Sequence, residues 1–237
     1  MCIRDSIQSD FVQVDEDTRI NVKLKSGQET EINAPGPKVT HAQFEQLLSQ
    51  IRRTTNDDIV IVAGSVPNSI PSDAYAQIAQ ITEKTGAQLV VDAEKDLVET
   101  VLPYRPLFIK PNKDELEVMF NTTVKSDEDV IKYGKEILKK GAQSVIISLG
   151  GDGAIYVDQH QSIKAVNPQG HVVNTVGSGD STVAGMVAGL SMGLNVDEAF
   201  QQAVASGTAT AFSEDLATRD AIENIKSQVT ISVVDGE

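Results

Sequence analysis

From residue 35 onwards, short apolar runs alternate with segments whose apolar residues recur at helical spacing, and this alternation constrains the fold more than any other feature. DIVIVAG at 58–64 is nearly continuous in apolar residues, and so are the runs at 88–92, 107–110 and 145–149. Such runs read as strands buried on both faces. Between them, Phe44, Leu47, Leu48 and Ile51 form one stripe, and Tyr75, Ile78 and Ala79 another, each on a helix able to cover a sheet. Thr40 with Gln43 predicts a capping box for the first helix, and Ser72 a cap for the second. Helices are further predicted at 95–102, 114–120 and 127–140, and near 181–192, 196–210 and 218–228. A hairpin through Asp158–Gln161 joins strands at 154–157 and SIKAV. The expectation is an α/β domain with helices on both faces of a mostly parallel sheet.

Upstream the period changes. From Phe11 to Asn33 the reading is β throughout: in RINVKLK, Ile20, Val22 and Leu24 alternate with Arg19, Asn21, Lys23 and Lys25. Lys25–Gln28 supplies a turn and ETEIN the returning strand. This segment, 11–34, is expected to be part of a β lid, with the core at 35–237. Residues 1–10 lack an apolar strand pattern and read as a non-native or disordered leader.

Charge and cysteine content exclude several classes of function. A formal net charge of -14 is a poor footprint for nucleic acid or an anionic membrane. One cysteine, Cys2, allows neither an intrachain disulfide nor a cysteine metal cluster, and His41, His160 and His171 have no ligand-like spacing. No long apolar span or signal peptide is present, so a cytoplasmic location is expected.

In parallel α/β sheets, ligands gather beyond the carboxyl ends of the strands. Five loops fall there: AGSVP, VDAEKD, KPNKDELE, SLGGDG and TVGSGD. TVGSGD carries the most chemistry. Gly177 and Gly179 let successive amides approach an oxyanion, and the following helix start adds favourable potential. Asp180 can then accept a proton from an attacking alcohol, although an acidic helix cap explains the same residue. The small residues Ala184, Gly185, Ala188 and Gly189 suit close packing around a site or simple core packing. In KPNKDELE, Asn112 and Glu115 stand three apart and can support a water-coordinated cation, or cap a helix. Asp92 follows a strand, but its acidity alone assigns it no catalytic role. Neither a P-loop nor a dinucleotide fingerprint occurs.

Taken in order, TRINVK, AGSVP, KPNKDELE, SLGGDG, NTVGSGD and ASGTATAF resemble the ribokinase-like, PfkB-type sugar kinases, in the 1-phosphofructokinase and tagatose-6-phosphate kinase branch. The resemblance implies a three-layer sandwich with a β lid and ATP-dependent transfer, with Mg²⁺, to a sugar-phosphate hydroxyl. It implies Asp180 as the base, with Gly177, Ser178 and Gly179 as the anion hole. Asn112 and Glu115 match the motif near the nucleotide phosphates, with Glu115 meeting the metal through water. Ser148, Gly150, Gly151 and Gly153 fall in the nucleotide-side loop, and Thr208 and Ala209 in an adenine-pocket wall. Arg19 and Lys23 would contact the phosphate already on the sugar, and Asn21 a hydroxyl. The lid implies a possible homodimer.

The leading expectation is phosphorylation of fructose 1-phosphate to fructose 1,6-bisphosphate, with tagatose 6-phosphate as the alternative acceptor. Members of the family carry a first core strand and a GGKG-N type sugar-binding motif, and neither precedes Phe11. Sheet and lid are therefore expected to be incomplete at the N-terminus. A binding fragment without activity is the alternative of another class.

Overall fold

The computed structural model of the chain describes residues 7–26 and 28–234. The first six of the ten residues read as a leader, and Gly27 of the predicted turn, lie outside these residues. Strands β1 (Asn21–Ser26) and β2 (Gln28–Asn33) form an antiparallel hairpin, with Asn21 opposite Asn33 and Val22 opposite Ile32. Seven more strands make one sheet in chain order: β3 (Ile59–Ala63), β4 (Gln88–Asp92), β5 (Phe108–Ile109), β6 (Ser144–Ser148), β7 (Ala154–Asp158), β8 (Ser162–Val166) and β9 (Thr230–Val233). β3 to β6 are mutually parallel, whereas β7, β8 and β9 each run antiparallel to the strand before. β8 therefore points the same way as β3 to β6, and only β7 and β9 run against them.

Side chains along the strands alternate between two cores. Leu89, Val91, Ile109, Val145, Ile147, Ile155 and Val157 face helices α1 (His41–Ile51), α2 (Ala74–Thr85), α3 (Lys95–Val101), α4 (Lys113–Phe120) and α5 (Asp127–Lys140). Val90, Phe108, Ile146, Tyr156, Ile163 and Ala165 face α6 (Ser178–Ser191), α7 (Val196–Ala211) and α8 (Arg219–Lys226). The period of two thus puts every second residue of β4 to β8 in a different core, and the fold is the expected three-layer sandwich.

The termini of the helices follow local chemistry. Thr40 caps α1 in the predicted capping box with Gln43. α2, however, starts after Asp73 rather than Ser72, and the Asp73 carboxylate accepts a bond from the Gln77 side chain at 2.9 Å instead of capping the backbone. α6 starts three residues earlier than its spacing suggested, so Gly179 and Asp180 lie in its first turn.

The reading of β structure from Phe11 holds only from Asn21. Residues 7–20 form no strand. They run along α1 instead, where Gln43 and Gln50 donate to the carbonyls of Gln13 and Asp10 at 2.9 and 2.8 Å, and the Lys38 amide donates to Glu16. Nor are the described apolar side chains of this segment buried: Ile20, Val22 and Ile32 are 74%, 41% and 57% exposed. β9 was not anticipated. It pairs Ile163 with Val233 and closes the antiparallel edge.

α6 and α7 meet through their backbones. A Cβ on Gly185 would lie 2.8 Å from the Ala203 Cα, and one on Gly189 would lie 2.8 Å from the Ala199 Cα. Of the small residues of α6, Gly185 and Gly189 therefore serve helix packing, whereas Ala184 and Ala188 are exposed.

Candidate active site

All five loops singled out in the sequence follow the five strands that share a direction, β3, β4, β5, β6 and β8, and so gather at one end of the sheet. The deepest charge there is Lys110, which directly follows β5 and is only 8% exposed. Its ammonium nitrogen stands 3.3 Å from the Asp92 carboxylate at the end of β4. A Cβ on Gly179 would meet the same nitrogen at 3.3 Å, so the lysine lies directly beneath the first turn of α6. Burial raises the pKa of Asp92; Lys110 opposes that shift and the nearby Asp180 carboxylate adds to it. Three strand and helix ends therefore share one electrostatic unit, in which Asp92 feels both the Lys110 cation and the Asp180 carboxylate.

The turn into α6 is shaped for an anion. Gly177 has φ +81°, a left-handed conformation that a side chain rarely adopts. Among the described residues, the N–H groups of Gly177, Gly179 and Asp180 have no partner, whereas that of Ser178 donates to the Thr175 carbonyl at 3.2 Å. The Ser178 hydroxyl is buried and, among the described residues, unpartnered. Asp180 itself is exposed.

Across the sheet, Asn112 caps α4 through a reciprocal pair with Glu115. The Asn112 side chain accepts from the Glu115 amide, and Glu115 Oε2 accepts from the Asn112 amide, both at 2.8 Å. The capping reading is thus realised, and it engages only one carboxylate oxygen of Glu115. Asn112 also bridges to Ser148, so the loops after β5 and β6 are neighbours. Next to them Gly150 and Gly151 lie on a 3₁₀ turn whose outer side is open, with nothing within 4 Å of an added Cβ. Gly153, by contrast, is pressed against the Ala165 carbonyl and serves β7–β8 packing.

Asn167 ties this loop to α7. Its side-chain amide donates to the Gly150 carbonyl at 3.0 Å, while its Oδ1 lies 2.9 Å from the Thr208 hydroxyl. Thr208 and Ala209 are both buried, at 6% and 2% exposure, so they support this wall from behind. A cavity of about 300 Å³ beside it is lined by Gly151, Asn167, Lys113, Lys125 and Lys164. Arg19 reaches the loop after β3, donating to the Ser65 hydroxyl at 2.6 Å. Asn21 is exposed at the start of β1, and the side chain of Lys23 lies outside the described ones.

Sequence reasoning missed Lys110 and Asn167, and it named Asp92 at the end of its strand without giving it a role. A lysine ending an apolar strand was the available signal for the first, and what Asp92 lacked was its partner across the strand ends. Asn167 lies in a polar loop with nothing to single it out.

The order of these loops along the chain has a counterpart: residues 2–221 match the model of the pfkB family of carbohydrate kinases. The chain belongs to that family. Membership makes it an ATP-dependent carbohydrate kinase. A 1-phosphofructokinase of Bacillus subtilis is 41% identical over 228 residues, which cover 96% of this chain and 75% of that protein. A D-tagatose-1-phosphate kinase of Bacillus licheniformis is 35% identical over 97% of this chain and 76% of its own length. Among solved structures, that of a candidate phosphofructokinase from Staphylococcus aureus is 79% identical, with a TM-score of 0.90 over 100% of this chain and 77% of that one.

Among the described residues no three His, Cys, Asp or Glu side chains converge as a metal cage. The free oxygen of Glu115 suits the water shell of a hydrated cation, and the buried ammonium of Lys110 suits the phosphates that would carry it in. No helix among the described residues is long and apolar enough to cross a membrane.

Proposed function

We propose that the chain transfers the terminal phosphoryl group of ATP to the 6-hydroxyl of fructose 1-phosphate. The observation that carries this reading is the burial of Lys110 beneath Gly179, beside Asp92 and Asp180. A cation at that point opposes the charge of a phosphoryl group held over the α6 turn. The Asp180 carboxylate takes the proton of the attacking hydroxyl as the new O–P bond forms and the bond to the leaving ADP breaks. The N–H groups of Gly177, Gly179 and Asp180 and the Lys110 ammonium hold the transferred group, and Ser178 fixes the turn. Mg²⁺, when bound with ATP, neutralises phosphate charge, and Glu115 would hold it through water. Asn112, Ser148, Gly150 and Gly151 line the phosphate side, with Gly153, Thr208 and Ala209 supporting the nucleotide wall. Arg19, Asn21 and Lys23 are assigned to the acceptor, and the exposed apolar face of the hairpin to pairing with a second copy.

Tagatose 1-phosphate is the second acceptor to consider, because the Bacillus licheniformis relative is named for it. It also carries its phosphate on carbon 1, so a phosphate-anchored acceptor would present the same 6-hydroxyl to Asp180. The test is ADP release from MgATP with fructose 1-phosphate, tagatose 1-phosphate, tagatose 6-phosphate or no sugar. Stimulation by fructose 1-phosphate above the others is expected. Equal or greater stimulation by either tagatose phosphate would overturn the acceptor. Asp180→Asn is expected to lower kcat by about a thousandfold while nucleotide binding by calorimetry is kept. Unchanged kcat would remove Asp180 as the base.

A further inference from the structure

A second cavity, of about 440 Å³, opens at the opposite end of the sheet, where the parallel strands begin. Its wall combines the start of β6, the end of α5 and the β7–β8 turn, with Leu107, Leu138 and the buried Tyr156 as apolar lining. The carboxyl ends of the parallel strands, and the groups assigned above to phosphoryl transfer, lie at the other end of the sheet. Volumes of this size are ordinary for small-ligand pockets.

Three observations give the cavity a chemical character. Arg105, at its mouth, holds a left-handed backbone (φ 55°, ψ 57°) that non-glycine residues rarely adopt. That backbone is pinned from both sides: its amide donates to the Leu102 carbonyl at 3.1 Å, and its carbonyl accepts from the Gln143 side chain at 2.9 Å. The guanidinium, meanwhile, has no hydrogen-bond or ion-pair partner among the described residues. The one carboxylate in the wall, Asp158, is already engaged. Its Oδ1 accepts from the amides of His160 and Gln161 at 2.7 and 2.8 Å, and its Oδ2 from the Tyr156 hydroxyl at 3.1 Å. The imidazole of His160, on the same rim, has no side-chain partner among the described residues. In a chain of formal net charge -14, an exposed arginine left uncommitted over a cavity of mixed polar and apolar lining is set apart from the general surface.

We propose that this cavity binds a small organic anion, a carboxylate or phosphate ester with a compact apolar body. The body enters between Leu107, Leu138 and Tyr156, and the anionic group meets the fork of Arg105.

The test uses the full chain and three probes: phenyl phosphate, benzoate and the neutral benzyl alcohol. Binding is followed by backbone amide shifts, which separate this site (Gln143, Ser144, His160, Gln161) from the α6 turn (Gly177, Gly179, Asp180). One or both anions at millimolar concentration are expected to move the first set, and benzyl alcohol to move it far less. Arg105→Asn keeps a residue that tolerates the left-handed backbone and removes the charge; it should weaken anion binding about tenfold or more. Arg105→Lys should recover part of it. Which anion binds more tightly distinguishes carboxylate from phosphate ester. Shifts confined to the α6 turn, equal binding of benzyl alcohol, or unchanged affinity in a folded Arg105→Asn variant would each overturn the proposal.

Discussion

The Lys110 ammonium stands 3.3 Å from the Asp92 carboxylate, and their side chains are 8% and 19% exposed. Lys110→Met leaves Asp92 charged, half-buried and without its cation. The loss expected at neutral pH is about 3 kcal/mol of stability by urea unfolding. It should shrink in acid, because a carboxylate whose folded pKa is raised is relieved by taking up a proton, and the penalty vanishes below the unfolded value of 3.8. In variants that remain folded, kcat should fall by about a hundredfold or more, because the phosphoryl group loses its buried counter-charge. A folded variant with normal kcat would confine Lys110 to a structural role.

Glu115→Gln separates capping from metal support. Glutamine can complete the same box with Asn112, so the thermal midpoint should stay within a few degrees. The Mg²⁺ concentration for half-maximal rate should rise about tenfold, since the amide holds metal-bound water poorly. An unshifted Mg²⁺ titration would leave Glu115 as a cap only.

Asn167→Ala cuts the tie between the Gly150 carbonyl and Thr208. Stability should drop by about 1 kcal/mol, the worth of the lost bonds. The KM for ATP should rise several-fold, with kcat little changed, because the loop it tethers lines the proposed nucleotide side and not the reacting centre. Steady-state kinetics at saturating sugar phosphate measures both.

Tyr75 donates to the Gly64 carbonyl at 2.8 Å, and burial together with the Asp92 carboxylate pushes its pKa up to about 12. Above pH 10 the unfolded chain releases this proton while the folded chain keeps it, so stability falls with rising pH across that interval. Tyr75→Phe lacks this term. The gap between the two proteins in urea should therefore narrow by about 2 kcal/mol between pH 10 and 12.

Which parts of this were legible in the sequence follows from the physics of each signal. The order of β4 to β7 was readable because those strands are buried on both faces, which forces continuous apolar runs; β3 carries the same kind of run although Ile61 is exposed. The hairpin was readable as β from the alternation of Ile20, Val22 and Leu24, yet alternation does not say whether an apolar face is covered, and here Ile20, Val22 and Ile32 are exposed. Phe11 suggested a strand, but the segment takes its hydrogen bonds from Gln43 and Gln50 of α1, a contact no local pattern encodes. β9 is only four residues long and too short for periodicity to register. Asp180 and the glycines before it announced themselves as a motif. Lys110 did not, because a lysine closing a strand has the composition of an ordinary surface residue and only the tertiary fold buries it.

The backbone contact between α6 and α7 has a mechanical consequence. With Gly185 against Ala203 and Gly189 against Ala199, neither helix can slide or roll without driving main chain into main chain. Asp180 at the head of one helix and Thr208 on the other are thereby mounted on a single stiff part. The carboxylate is a fixed landmark: nucleotide and acceptor must be brought to it. A methyl group added deep in that seam would move it off position without touching either of them.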